Sequence, residues 1–471
     1  MNKVREQSSE LQTNGHSQHF SILLLSLWVL ITAFPAYCTD FFVSPDGNDS
    51  NNGSINEPFE TIGKAHEQVQ AGDNIFLRAG LHTYSQTIQI TKSGQEENLI
   101  TLQSYQDEIA ILDFNDVGDD DKGIKLNGSY WHLKGFTIQN AGDNGLYVSG
   151  PGSHNILERL VTRMNADSGL QLHTGSSYNL VLNCDSYLNY DPENHGENAD
   201  GFAAKSDSTS SIGPNNIFVG CRAWSNSDDG WDFYRSNNAV TVENCWAFNN
   251  GENIWSDPCF AGDGNGFKLG IGSGGHTLKL CVAYDNAHHG IDVNGNSTGV
   301  KVYNCTCVAN QNRNFYFDEH NDAHILRNNL SHQGPVLIYA EIDDENNSWN
   351  GFAVGDTDFV SLDADGIDGQ RGLDGGLPGL SFLRLSIQSS LIDAGTDVGL
   401  AFEGDAPDLG AFERLDGDCE PDGDIDFDDL KCLVSNWLND DCGDCNGADF
   451  DGNGEVNLYD FARLGINWLA Y

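Results

Sequence analysis

The segments ENADGFAAK (197–205), SNSDDGWDFYR (225–235) and GDGNGFKLG (262–270) each run acidic or polar residues into a glycine and then into a short strand of alternating apolar residues. Aligned on Gly201, Gly230 and Gly266, they keep register. Asp200, Asp229 and Asn265 stand one position before the glycine, and Ala203, Asp232 and Lys268 stand two positions after it. Strands stacked in that register bring Asp200, Asp228, Asp229, Asp232 and Lys268 onto a single patch of surface.

The same pattern extends in both directions. Starting at Phe136, the column Phe136, Leu160, Cys184, Cys221, Cys245, Cys281, Cys305 advances by 24, 24, 37, 24, 36 and 24 residues, a 24-residue unit with two insertions. Five residues further on stand Asn165, Asn189, Asn226, Asn250, Asn286 and Asn310. The first and third residues after each glycine are mostly apolar (Leu146 and Val148, Trp231 and Phe233, Ile291 and Val293), and the residue between them varies: Tyr147, Gln171, Ala203, Asp232, Lys268, Asp292, Tyr316. Period-2 alternation turns the apolar pairs inward and the variable column outward. Several short strands per unit, with turns and no helical stretch, specify an all-β parallel β-helix, a solenoid of about 24-residue coils.

In such a solenoid the asparagines hydrogen-bond from coil to coil at the strand spacing of about 4.8 Å. The cysteine column is read as reduced, small apolar side chains stacked the same way, with coil-to-coil disulfides as the alternative. Residues 39–128 supply the first coils and a cap, with a short amphipathic helix near 61–69 over the open end of the core. Residues 129–334 form the regular coils. Residues 335–415 lose the period and are expected to close the far end.

From residue 416 the composition changes. Asp418, Glu420, Asp422, Asp424, Asp426 and Asp429, with Gly423, match an EF-hand-type loop, and Asp449, Asp451, Asn453, Glu455, Asn457 and Asp460, with Gly454, repeat it 31 residues later. Helices are expected over 430–438 and 461–469. The pair resembles a dockerin, which implies a small C-terminal α-helical calcium module over 416–471 and a cohesin-type scaffold partner. A calcium-stabilised terminal module without such a partner is the other reading. Cys419, Cys432, Cys442 and Cys445 lie here, where an exported protein can pair them.

The 471 residues include 53 Gly and only 2 Met and carry a formal charge of −47, which excludes nucleic acid or an anionic membrane as partner and favours divalent cations. Lys3 and Arg5, the apolar run Phe20–Phe34 and the cysteine at 38 have the layout of a signal peptide over 1–38, cleaved between Ala36 and Thr39. An uncleaved anchor is the alternative. A cleaved chain is secreted, with no membrane association.

Carboxylates as close as Asp200, Asp228, Asp229 and Asp232 repel one another unless a hard cation takes several of their oxygens, and calcium accepts such a flexible set better than magnesium. The bland alternative is a solvated acidic turn. Beside calcium and partly desolvated, Lys268 is expected to lose basicity and serve as a base; otherwise it simply pairs with Asp232 or Asp292. The motifs ENADGFAAK, SDDGWDFY and GNGFKLG resemble those of the family nine polysaccharide lyases over about residues 40–410. That resemblance implies a calcium-dependent pectate lyase on a right-handed parallel β-helix, with Asp200, Asp228, Asp229 and Asp232 as calcium ligands and Lys268 as the base of a β-elimination on galacturonan. Lys205, Arg235 and Arg313, expected to point outward near these coils, are candidate contacts for substrate carboxylates. Rival readings are an alginate or glycosaminoglycan lyase, a β-helix polygalacturonase using the aspartates as acid and base, and a non-catalytic carbohydrate-binding surface protein.

Overall fold

The computed structural model describes residues 38–471 apart from 207–210, 319–323, 340–341, 416, 420, 424, 441–444, 451–452 and 469–471. All of the expected leader but Cys38 lies outside the described residues, as do Glu420, Asp424 and Asp451 of the tail loops. Among the described residues no helix is long and apolar enough to cross a membrane.

Strands of two to five residues, broken by turns, wind into coils whose strands fall into three sheets of 12, 10 and 10 strands. Within each sheet every neighbouring pair of strands is parallel and joins consecutive coils. The inward column behaves as its apolar character requires. Leu146, Leu170, Phe202, Trp231, Phe267, Ile291 and Phe315 are register partners in turn and are fully buried. Phe202, Trp231 and Phe267 stack at centroid distances of 4.9 and 4.8 Å, the coil spacing itself. Removing such side chains from water contributes about 1.5–3 kcal/mol each. The glycine column is a matter of close approach: a Cβ on Gly230 would stand 2.6 Å from the carbonyl oxygen of Gly266 in the next coil.

The asparagine column forms a continuous buried ladder, in which the Nδ2 of each residue donates to the Oδ1 of the next from Asn165 through Asn189, Asn226, Asn250 and Asn286 to Asn310. A second ladder, Asn155–Asn179–Asn216, lines another corner. Asn226 accepts from the backbone N–H of Asn189 as well as its Nδ2, and also donates to the Ser186 carbonyl. Asn226→Ala would leave several buried groups unpaired and is expected to lower unfolding stability by about 2–4 kcal/mol. Denaturant titration checks this, and a loss under about 0.5 kcal/mol would show the ladder to be dispensable. Cys184, Cys221, Cys245, Cys281 and Cys305 are buried free thiols.

A helix at Ile62–Gln68, capped by the Thr61 hydroxyl, packs Ile62 and Ala65 into the same core as Val43 and Ile75. At the other end Trp349 packs on Phe315, with ring centroids 4.8 Å apart. The rest of the aperiodic segment does more than close the end. Phe359, Ile367, Phe382, Leu385 and Leu391 run back along the third sheet and bury Trp246, Phe248, Val282 and Val308. Asp185 fastens this segment to the coils. Its carboxylate takes the Arg222 guanidinium through both oxygens at 2.9 Å, and Arg371 of the segment at 2.7 Å. Arg222 also donates to the carbonyls of Ile367 and Gly369.

The tail folds as two helices, Phe427–Ser435 and Leu458–Asn467, each starting about three residues before its expected position. The shift follows from capping: Asp426 and Asn457 are N-caps, and Asp429 and Asp460 return the hydrogen bond to complete a capping box. Cys419 and Cys432 form a disulfide.

Candidate functional site

The site lies on the outer face of the second sheet, at strands Phe202–Ala204, Trp231–Asp232, Phe267–Lys268 and His289–Asp292. Ala203, Asp232, Lys268 and Asp292 are successive register partners, so Asp232 and Lys268 are direct cross-strand neighbours. Asp200 and Asp229 occupy the preceding turn in adjacent coils. Carboxylate oxygens of Asp200, Asp229 and Asp232 lie within 4.8 Å of one another, as do those of Asp228, Asp229 and Asp263. The structure thus brings Asp228 beside Asp229 and Asp263, with Asp229 shared between two groups.

Each carboxylate is held differently. Asp200 accepts from the Ser168 hydroxyl at 2.8 Å. Asp228 accepts backbone N–H bonds from Asn198 at 3.0 Å and from Asp263 at 2.6 Å. On Asp229, Oδ1 accepts from both the backbone and the side-chain nitrogen of Asn265 at 2.8 Å. Lys268 Nζ stands 3.0 Å from Asp229 Oδ2 and 2.5 Å from Asp263 Oδ2. The first of these pairs is close but unaligned for a hydrogen bond. Asp229 Oδ2 and Asp232 Oδ1 are buried without a hydrogen-bond partner.

Burial and mutual repulsion shape the charges. Burial, the repulsion of Asp232 and Asp229 opposed by Lys205, pushes Asp200 up to about 8. Asp228 is raised by burial and by Asp229 and Asp200. Burial raises Asp292 to about 7. For Lys268 the expectation of lowered basicity is corrected: burial does act to lower it, but Asp229, Asp232, Asp228 and Asp263 outweigh burial and raise it. The summed field of four nearby carboxylates favours the ammonium.

Lys205, expected to point outward, is instead turned into the cluster, with Nζ 2.7 Å from Asp200 and 3.1 Å from Asp232. Two unmatched carboxylates draw a flexible cation inward. Arg235 is exposed, its guanidinium over the Tyr234 ring, and Arg313 sits over Tyr316 in the coil after Asp292. The outward column is also less open than period-2 alternation implied: Gln171, Ala203, Asp232 and Asp292 are all buried. Twelve positions separate Asn189 from Gly201 and sixteen separate Asn250 from Gly266, against four in regular coils. These two insertions pack on each other, the Ala261 N–H donating to His195 and Tyr190 stacking on Trp255 at 4.8 Å. They deliver Asn198 and Asp263 to Asp228. Asp263 lies in an insertion, which has no register to place it; its GDGNG context was the available signal.

Residues 41–329 match the family described as Pel9A-like, right handed beta helix region. The chain belongs to the Pel9A-like family. It is 42% identical over 392 residues to pectate lyase L of Dickeya dadantii (strain 3937), covering 79% of this chain and 90% of that protein. It is 35% identical over 412 residues to pectate lyase PEL9 of Emericella nidulans, covering 79% of this chain and 98% of that protein. Among solved structures, pectate lyase Pel9A superposes with a TM-score of 0.74 at 41% identity, over 80% of this chain and 96% of the other. A rhamnogalacturonan lyase gives a TM-score of 0.67 at 28% identity, over 74% and 97%.

In this Pel9A-like site the donor set fits a hard divalent cation. Three carboxylates converge and two of their buried oxygens lack hydrogen-bond partners, a cost that a cation taking those oxygens would remove.

Proposed function

We propose that this chain is a calcium-dependent pectate lyase that cleaves α-1,4-linked galacturonan by β-elimination. It is a polysaccharide lyase, as its relatives named for that activity across most of both chains require. The observation that supports the mechanism best is the Lys268 amine in register with Asp232 and 3.0 Å from Asp229.

Asp200, Asp228, Asp229 and Asp232 would hold the ion. Calcium held there would supply positive charge that offsets the carboxylates keeping Lys268 protonated and would acidify the C5 proton of a neighbouring uronate. Neutral Lys268 takes that proton, the C5–H electrons form the C4–C5 double bond, and the C4–O bond breaks with its electron pair going to the departing oxygen, which is protonated from solvent. Arg235 and Arg313 are offered as contacts for neighbouring uronate carboxylates. Asp263, 2.5 Å from the amine, holds Lys268 in place.

Similarity to a rhamnogalacturonan lyase favours one rival substrate. Assays on polygalacturonate, rhamnogalacturonan, alginate and chondroitin, each with and without chelator, decide between them. Polygalacturonate is expected to yield a near-ultraviolet-absorbing double bond that chelation abolishes. Cleavage without the double bond would make the enzyme a hydrolase, and full activity in chelator would remove calcium from the mechanism.

Residues 416–471 are proposed as a dockerin-type calcium module for a cohesin-type partner. Two loops built alike support this: Asp418 accepts from the N–H groups of Asp422 and Gly423, and Asp449 accepts from those of Asn453 and Gly454. The leader-like residues 1–38 support export.

A further inference from the structure

The two lysines divide the carboxylates between them. Lys268 lies on Asp229 and Asp263, whereas Lys205 lies on Asp200 and Asp232. Asp200 and Asp232 are two of the three residues whose oxygens converge within 4.8 Å, and both are almost wholly buried. A cation therefore already sits on two of the three carboxylates that a divalent ion needs.

The sequence explains how it gets there. Lys205 is two residues beyond Ala203, on the same face of the strand direction. In neighbouring coils the column at Ala203 carries Gln171 and Asp232. In that column only the Ala203 methyl group stands between Asp200, in the turn before the strand, and Lys205, just past its end. The long lysine stem can reach back across it.

We propose that Lys205 is a resident counter-cation of this carboxylate group, and that a divalent ion binds only by exchange for its ammonium, so that Lys205 sets the ion concentration at which the site fills. This rests on the calcium reading above. An ion ligated by Asp200 and Asp232 and an ammonium at 2.7 and 3.1 Å from the same two side chains repel strongly at such range. Asp167 and Asp228 are further carboxylates close enough to act on Lys205. Nothing in the exchange requires Lys268 to leave Asp263.

The test is calorimetric titration of the chelator-stripped full-length chain with calcium, with Asp418→Ala and Asp449→Ala in every sample to silence the tail loops. Lys205→Met is expected to bind calcium about tenfold more tightly than the parent, and Lys205→Arg, which keeps the charge, to stay within about twofold. The half-activating calcium concentration should fall in step for Lys205→Met. Should that variant not fold, Lys205→Gln carries the same expectation. A parent that binds calcium with Lys205→Met no tighter overturns the exchange alone. A parent that binds none at this site overturns the calcium reading and the exchange together.

Discussion

Lys268→Ala is expected to lower kcat on polygalacturonate by about 10²–10⁴-fold, the range a positioned general base supplies. The methyl group that remains cannot accept a proton. Lys268→Arg should be nearly as damaging, since a guanidinium stays protonated throughout the accessible pH range. Calcium affinity, read by titration, should not weaken in Lys268→Ala, because the substitution removes a positive neighbour of Asp229. The pH profile follows from the sign of the shift. The surrounding carboxylates by themselves raise Lys268. Even once calcium offsets them, an ordinary lysine, at about 10.4, is mostly protonated at neutral pH, so the neutral fraction grows about tenfold per pH unit. Activity should therefore climb toward alkaline pH, and a profile peaking below neutrality would remove Lys268 from the role of base.

Asp185→Asn is expected to cost about 3–5 kcal/mol of stability, the penalty for leaving buried charge uncompensated. Arg222 is only 2% exposed and would keep its guanidinium among the Ile367 and Gly369 carbonyls with no anion beside it. Denaturant unfolding gives the magnitude. Faster amide exchange over 359–391 would show that the clasp holds this segment to the third sheet. Burial acts to raise Asp185, but Arg222 and Arg371 outweigh it and hold the carboxyl below its ordinary range. Its contribution is thus complete above the unfolded value of about 3.9 and is lost as pH falls through the lower folded value. The gap between parent and variant should narrow in that acid window. A loss under about 1 kcal/mol, with exchange unchanged, would mean that the apolar contacts of the segment hold it unaided.

Whatever repeats in this chain was legible before folding. Once strands stack in parallel and in register, a 24-residue period makes sequence offset equivalent to position in space. The spacing of Asp232 from Gly230 and of Lys268 from Gly266 was therefore enough to make them cross-strand neighbours. The same equivalence placed Asn226 on Asn250 and Cys221 in a buried column. Gly230 was fixed by the carbonyl that approaches it from the next coil.

Only the tertiary structure decided what has no period. Asp263 belongs to an insertion, so no register could assign it to Lys268. Lys205 sits on a strand face that alternation reads as outward, and the pull of Asp200 and Asp232 settled its direction instead. Arg371 reaches Asp185 from 186 residues away along the chain, in a segment whose apolar residues could equally have capped an end. The raised basicity of Lys268 is likewise a property of the whole arrangement. Short-range pattern specifies neighbours one coil apart, whereas insertions, long-range contacts and summed electric fields exist only after the coils have closed around them.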